Sequence, residues 1–487
     1  MKRLSIIMFS LLLSFILNGQ NEMDALRYSQ LYPTGSARYA GLGGAFGAIG
    51  ADFTTLSINP AGIGLYRTSE FTFTPSIFIG KTESEYNDVY RDDYKYNFNF
   101  GNIGFVYTFY SKSRFTEDKK GWKNAQFGFG LNRLNNFNNR IFIEGPNTEN
   151  SFLDEYLNQA NGINQNNLDP FSTLLAFNTY LIDIDTAGGS SSYISAIPDG
   201  GVKQRKLVNT TGSINEMVLS LGGNYNDRLY IGATIGFPFI KYEESSNYRE
   251  LDDADTIPDI NYYNIDHEFT TYGSGVNLKL GIIIRPANWF RIGGAVHSPT
   301  YYYKMHDDYS TSIHSYWDND SPLSDRSYGE FDYKLVTPMR AIGSVAFIIG
   351  KVGLISADYE YVDYAEARLR ADRMEDEDYF ADINQKIQNS YLTANNLRFG
   401  TEWRFNPFTI RGGYAIYGSP FKPSLNDGEK TSISFGFGFR QKNYYVDLAF
   451  VMTTKEEDYY LYSSNLVNPA MNELTENSLL LTLGFKY

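Results

Sequence analysis

Cysteine is absent from the 487 residues, which excludes disulfides, thiol catalysis and a lipid-anchored cysteine. Basic residues are too few for nucleic acid. Lys and Arg number 42 against 56 Asp and Glu, a formal charge of −14, whereas a nucleic-acid face must be basic. Histidine is scarce as well: His267, His297, His306 and His314 are scattered, without a recognised ligand spacing, so no metal and no cofactor is assigned. No nucleophile–histidine constellation can be placed, and the chain is not read as an enzyme. Long apolar runs are missing with one exception, Leu4–Leu17, short of the ~20 residues of a spanning helix. Lys2 and Arg3 precede it and Asn18-Gly19-Gln20 ends it, so residues 1–20 read as a secretory signal peptide. Any membrane insertion must therefore use strands.

What the chain has in quantity is aromatic residues, 16 % of the total with 40 Tyr and 35 Phe, at a mean hydropathy of −0.36. That pairing suits a barrel whose apolar residues alternate with polar ones and whose rims carry aromatics. The alternation is explicit. Ile433, Phe435, Phe437 and Phe439 share one face of a strand, with Ser432, Ser434, Gly436 and Gly438 on the other. Leu229, Ile231, Ala233, Ile235 and Phe237 alternate with Tyr230, Gly232, Thr234 and Gly236 in the same way. Fourteen strands are predicted: 70–81, 96–110, 122–138, 214–225, 228–241, 273–285, 288–303, 331–349, 351–364, 394–405, 407–417, 431–440, 443–454 and 477–487. After the third, tight turns such as Asn226-Asp227 and Gln441-Lys442 alternate with long polar loops at 139–213, 242–272, 304–330, 365–393, 418–430 and 455–476. This predicts an all-β, 14-stranded antiparallel transmembrane β-barrel, monomeric, with its last strand closing on the first. The loop at 139–213 carries candidate helices at 152–157 and 171–184. Acidic clusters at Asp252-Asp253, Glu375–Asp378 and Trp317–Asp320 read as hydrated loops, or as sites for cations shared with lipopolysaccharide.

The stretch Ser36–Gly62 is small, Gly- and Ala-rich and nearly uncharged. Its glycines allow close packing against a wall, and Asn59-Pro60 favours an extended or turn conformation at Asn59. GLGGAFGAIGADFTTLSINPAGIGLYR, Gly41–Arg67, resembles the N-terminal signature of FadL-type outer-membrane transporters of long-chain fatty acids and aromatic hydrocarbons, at Gly41, Gly43, Ala45, Ala51, Asp52, Asn59, Pro60 and Ala61. The resemblance implies residues 21–69 as an N-terminal hatch inside a barrel of residues 70–487, with Gly41, Gly43, Asp52, Asn59, Pro60, Ala61 and Gly62 shaping it. It also implies passive uptake of a hydrophobic small-molecule ligand across the cell outer membrane and a lateral gap in the wall.

Parity slips in the second strand, between Phe98 and Phe100 on one side and Ile103, Phe105, Tyr107 and Phe109 on the other. Either Phe98 and Phe100 turn inward or a bulge sits at Gly101–Gly104, the candidate for that exit. The inward parity carries Lys279, Arg285, Arg291, His297, Arg398, Glu402, Arg404, Arg411, Arg440 and Asp447. These form a mutually paired interior that holds the hatch, or contact a ligand, with Arg291, Arg398 and Arg411 the candidates. The competing reading is a barrel adaptor that holds secreted or surface proteins.

Overall fold

The computed structural model describes residues 21–110, 121–186, 191–198, 200–318, 321–372, 377–423 and 426–487. The expected signal peptide, nearly all of the 111–121 link and parts of two acidic loops lie outside them.

Period-two alternation makes strands almost everywhere after Ser69. In chain order these are β1 (Glu70–Tyr86), β2 (Val89–Tyr110), β3 (Trp122–Asn136), β4 (Asn139–Asn147), β5 (Ile182–Ile184), β6 (Tyr193–Ser195), β7 (Val202–Tyr225), β8 (Leu229–Leu251), β9 (Ile260–Ala287) and β10 (Phe290–His297). They continue as β11 (Tyr301–Trp317), β12 (Leu323–Val336), β13 (Arg340–Ile349), β14 (Gly353–Asp363), β15 (Arg368–Ala371), β16 (Thr393–Phe405), β17 (Phe408–Tyr417), β18 (Lys430–Arg440), β19 (Tyr444–Tyr459) and β20 (Ala470–Lys486). All but the small β5–β6 pair join one antiparallel sheet. Four staves are interrupted: β3 continues as β4, β10 as β11, β12 as β13 and β14 as β15. Counted so, the wall has fourteen staves. β20 pairs with β1 from Glu70↔Lys486 to Glu85↔Met471, which closes the sheet and leaves no terminal edge strand.

The two faces differ as the alternation demands. Ile433, Phe435 and Phe437 are exposed on the outside of β18 while Ser432 and Ser434 are buried within. At the short-turn end the outer aromatics pair edge to face, tilted or stacked: Trp122 with Tyr225 at 5.6 Å, Phe408 with Phe439 at 5.7 Å and Phe105 with Tyr487 at 5.8 Å.

Several predicted loops are wall. The stretch 82–95 is a strand extension closed by Asn87-Asp88, both at positive φ (46° and 64°), as a two-residue hairpin turn with matching twist requires. Residues 139–147, 202–213, 242–251, 260–272, 304–317 and 323–330 are likewise strand. Beyond the apolar band the outer face turns to Tyr, Ser, Thr and charged residues, so the apolar signal fades while the ladder continues. Conversely, the strand predicted at 331–349 breaks at Thr337-Pro338-Met339, and that at 288–303 at Ser298-Pro299-Thr300, because proline has no N–H for the ladder.

Helices occupy the connections and the N-terminus: α1 (Glu22–Ser29), α2 (Ala37–Ala40), α3 (Thr55–Ile58), α4 (Phe152–Ala160), α5 (Thr173–Asn178) and α6 (Glu377–Ser390). α1 starts in a capping box between Asn21 and Asp24. It packs with α6 in a core that includes Leu26, Tyr28, Tyr242, Phe380 and Ile387. α4 and α5 form a separate core with the outer ends of β7–β9 and with Leu461 and Tyr462 from the β19–β20 connection. It is pinned by Glu250, which accepts from Tyr248 Oη (2.6 Å), Tyr263 Oη (2.7 Å), the Phe152 N–H (2.9 Å) and the Ser151 hydroxyl.

Candidate functional site

The N-terminal segment lies against the inward faces of staves all round the ring. The Ala37 N–H donates to Thr482 Oγ1 on β20 (2.7 Å), Gly43 N–H to Ser434 Oγ on β18 (3.0 Å), and Phe46 and Gly47 N–H to Asp358 on β14 (2.9 and 2.8 Å). Ser57 donates to Glu216 on β7 (2.7 Å) and accepts from Asn132 on β3 (2.9 Å). Glycine on both sides makes this approach possible. A Cβ on Gly413 would lie 2.1 Å from the Gly43 nitrogen, and Gly43 itself sits at φ +62°. No other residue type combines that conformation with that distance.

The NPAG turn is built the same way. Asn59 Oδ1 accepts from the Ala61 N–H (3.1 Å), and Nδ2 donates to the carbonyls of Gly47 (2.6 Å) and Ile282 (3.3 Å). Pro60 opens a six-residue 3-10 helix, Pro60–Leu65, its ring sparing a donor the first turn leaves unpaired. Underneath are Gly232 and Gly281, direct partners across β8 and β9; a Cβ on either would strike Pro60 or Asn59. Asp52 holds the other end, accepting from Ser36 Oγ (2.6 Å) and the Thr54 N–H (2.9 Å). Gly62 packs on Thr55 and Gly50, its carbonyl accepting from the Ala51 N–H (3.0 Å), and Gly41 faces Gly436.

The inward charges pair closely. Glu402 accepts from Arg38 of the N-terminal segment (2.9 Å), Arg411 (2.9 Å) and Arg404 (2.7 Å), and Asp447 accepts from Arg411 (2.8 Å) and Arg440 (3.1 Å). Arg291 donates to the Ile49 carbonyl (2.7 Å), and His297 Nε2 lies 2.7 Å from that of Ile58. Arg398 binds Glu360 (2.7 Å) and keeps Nε and Nη1 without partners. Arg291, Arg398 and Arg411 thus serve the interior and the N-terminal segment. None of the three lines either cavity described below.

The parity slip of β2 is a bulge. Thr74 pairs with Asn102 and Pro75 with Phe100, leaving Gly101 as the extra residue. Phe98 and Phe100 consequently face outward, as do Ile103 and Tyr107 beyond the bulge. Gly101 abuts the carbonyl of Gly35, and Gly104 the Phe53 ring. Beside the bulge the wall is unzipped. The β2–β3 ladder runs from Tyr110↔Asn124 only to Asn102↔Asn132, and the rest of β3 and all of β4 pair with β7 alone. Residues 89–100 of β2 therefore have a ladder on the β1 side only. Ion pairs span the break further out, Arg91–Glu144 (2.5 Å) and Arg140–Asp93 (2.9 Å).

Two cavities adjoin this seam. One, of about 340 Å³, lies at its outer end between Arg91, Glu144, Pro146, Lys203 and Asp253. The other, of about 110 Å³, lies inside, bounded by Tyr39, Gly43 and Gly44 of the N-terminal segment and reaching Asn99, Asn135 and Asn136 on the two lips. The sequence signal for the lips was present in NFNFGN (97–102) and NNFNNR (135–140). Asparagine so dense in a strand weakens it, and a tally of inward charges passes over neutral amides.

His306, Asp308 and Glu330 bring ligand atoms within 4.8 Å of one another. They lie on the outer face of the β11–β12 hairpin, where Asp332 (2.8 Å) and Tyr328 (2.6 Å) already engage His306 and Asp308.

No family model and no curated protein matches the chain. Solved structures do. The toluene transporter TodX of Pseudomonas putida aligns over 93 % of this chain and 98 % of its own at 11 % identity, TM-score 0.52. A FadL homologue of Pseudomonas aeruginosa aligns over 94 % and 99 % at 11 % identity, TM-score 0.53. The closed fourteen-stave barrel is the fold of FadL-type transporters.

Proposed function

We propose that the protein is an outer-membrane barrel through which small, largely apolar molecules pass without energy input, and that residues 21–69 are its hatch. The observation that carries this reading is the seam: the β2–β3 ladder stops at Asn102↔Asn132, and the inner cavity touches both lips. The outer apolar band and its aromatic rim match a bilayer core flanked by interfacial rings. The similar structures, a toluene transporter and a FadL homologue, support a hydrophobic solute.

In this reading the solute enters from the outer end, rests in the cavity above the hatch, and leaves sideways between β2 and β3. The paired wall charges hold the hatch in place, so ions and water find no straight path. The test exploits the cysteine-free chain. Asn99→Cys and Asn135→Cys, bridged by a bifunctional thiol reagent, should abolish chain-dependent uptake of a hydrophobic tracer into cells, and a cleavable bridge should restore it. Uptake indifferent to the bridge would sink the lateral route; uptake equal in cells without the protein would sink the function.

A further inference from the structure

The inner cavity is chemically unlike a hydrocarbon pocket. Aromatic rings of Tyr32, Phe78 and Tyr417 form its apolar part, with Tyr32 and Tyr417 edge to face at 5.0 Å. Facing them are two charged groups, Lys430 and Glu476. Neither makes an ion pair with the other or with any other described residue; the Lys430 ammonium lies 4.4 Å from the centre of the Tyr32 ring.

Two further lining groups are orphans. Ser76 and Asn99 are direct cross-strand partners in β1 and β2, 2 % and 5 % exposed. Ser76 Oγ and Asn99 Oδ1 have no hydrogen-bond partner. Buried polar atoms are almost always satisfied, and each exception asks for a missing partner. Asn99 Oδ1 can only accept, so the partner it lacks is a donor. The volume sets the size. A closed cavity of about 150 Å³ holds a single benzene ring. This one encloses about 110 Å³ and is open on one side, so a single ring fits with its polar substituents reaching past the enclosed part, and a long acyl chain is not enclosed.

We propose that this cavity selects a small amphipathic ring compound, bearing a hydroxyl donor at one end and an anionic group at the other, over bare hydrocarbons and long-chain acids. The hydroxyl meets Asn99 and Ser76, the anion meets Lys430, and the ring lies among Tyr32, Phe78 and Tyr417. The proposal rests on the uptake reading and shifts its solute from a largely apolar molecule to an amphipathic one. Discrimination follows because a site built to hydrogen-bond a hydroxyl strongly rejects the analogue lacking it.

The test is calorimetric binding to the detergent-purified full chain of four probes: 4-hydroxybenzoate, phenol, toluene and palmitate. We expect 4-hydroxybenzoate to bind at least about 10-fold more tightly than toluene. Lys430→Met should weaken 4-hydroxybenzoate by about 5-fold or more and leave phenol within about 2-fold, since only the former carries the charge that Lys430 pairs with. Lys430→Gln serves as the second variant if Lys430→Met fails to fold, judged by heat-modifiable gel mobility. Toluene or palmitate binding as tightly as 4-hydroxybenzoate overturns the inference and leaves the uptake reading standing, as does a Lys430 variant without effect. If none of the four binds while tracer uptake persists, the inference alone falls; if uptake is absent too, both fall.

Discussion

Glu402 is the residue on which the interior charge balance turns. It is 1 % exposed and faces three guanidinium groups, one of them Arg38 from the N-terminal segment. Removing one partner of a buried pair leaves uncompensated charge and costs roughly 3–5 kcal/mol. Glu402→Gln should therefore lower the temperature at which the folded gel band converts, and should speed protease cleavage within 21–69. Unchanged behaviour in both assays would show the network to be dispensable. A second residue-scale prediction concerns pH. The hydrogen bond from His306 Nδ1 to the Asp332 carboxylate, 2.8 Å away, and the nearby charges of Asp308, Asp332 and Glu330 raise the His306 pKa above the ordinary histidine value of 6.5, with partial desolvation opposing. A raised folded-state pKa contributes stability that is fully present below the unfolded value, about 6.5, and is lost as pH rises through the folded value. The β11–β12 hairpin should loosen over that interval. Titration of the His306 ring by NMR checks it, and a midpoint at or below 6.5 would refute it.

At the scale of elements, one extra residue decides the character of the wall. Without Gly101, β2 would have to turn Phe98 and Phe100 into the polar interior or slide its outer half by one position along β1. Deleting Gly101 should leave a folded barrel, since the β2–β3 ladder lies wholly beyond it at Asn102–Tyr110. It should lower tracer uptake by about 10-fold or more if the bulge keeps the seam open. Retained uptake would separate the bulge from the route. The glycines of β8, β9 and β17 have the complementary role. Gly232, Gly281 and Gly413 are not loose points in strands; each leaves room for the backbone or the Asn59 side chain of the N-terminal segment. The parity of such glycines is visible in a sequence, but what each one faces is not.

For the whole molecule, closure and occlusion are separate achievements. Closure depends on β20 meeting β1 along their length. In the proposed reading, occlusion depends on the N-terminal segment against the staves, on α1 with α6, and on α4 with α5 beyond them. Deleting residues 21–69 should leave the ring intact and convert a barrel of little conductance into an ion-conducting pore in planar bilayers. If the deletion variant conducts no more than the full chain, the segment is not what stoppers the ring.

The order of staves, the sidedness of nearly every strand and the tight turns such as Asn226-Asp227 were legible in the sequence, because a wall with one apolar and one polar face writes its geometry as a period of two. So were the Gly101 irregularity, as a slip in that period, and the NPAG turn, as a string of residues with few allowed conformations. Tertiary structure alone decided where the ladder stops between β2 and β3, how far the strands extend past the apolar band, and which inward groups are left without partners. Those features depend on which neighbour competes for each backbone edge and on how far apart side chains end up across the interior. Hydrophobic periodicity specifies the face a residue takes, and carries no information on what it meets there.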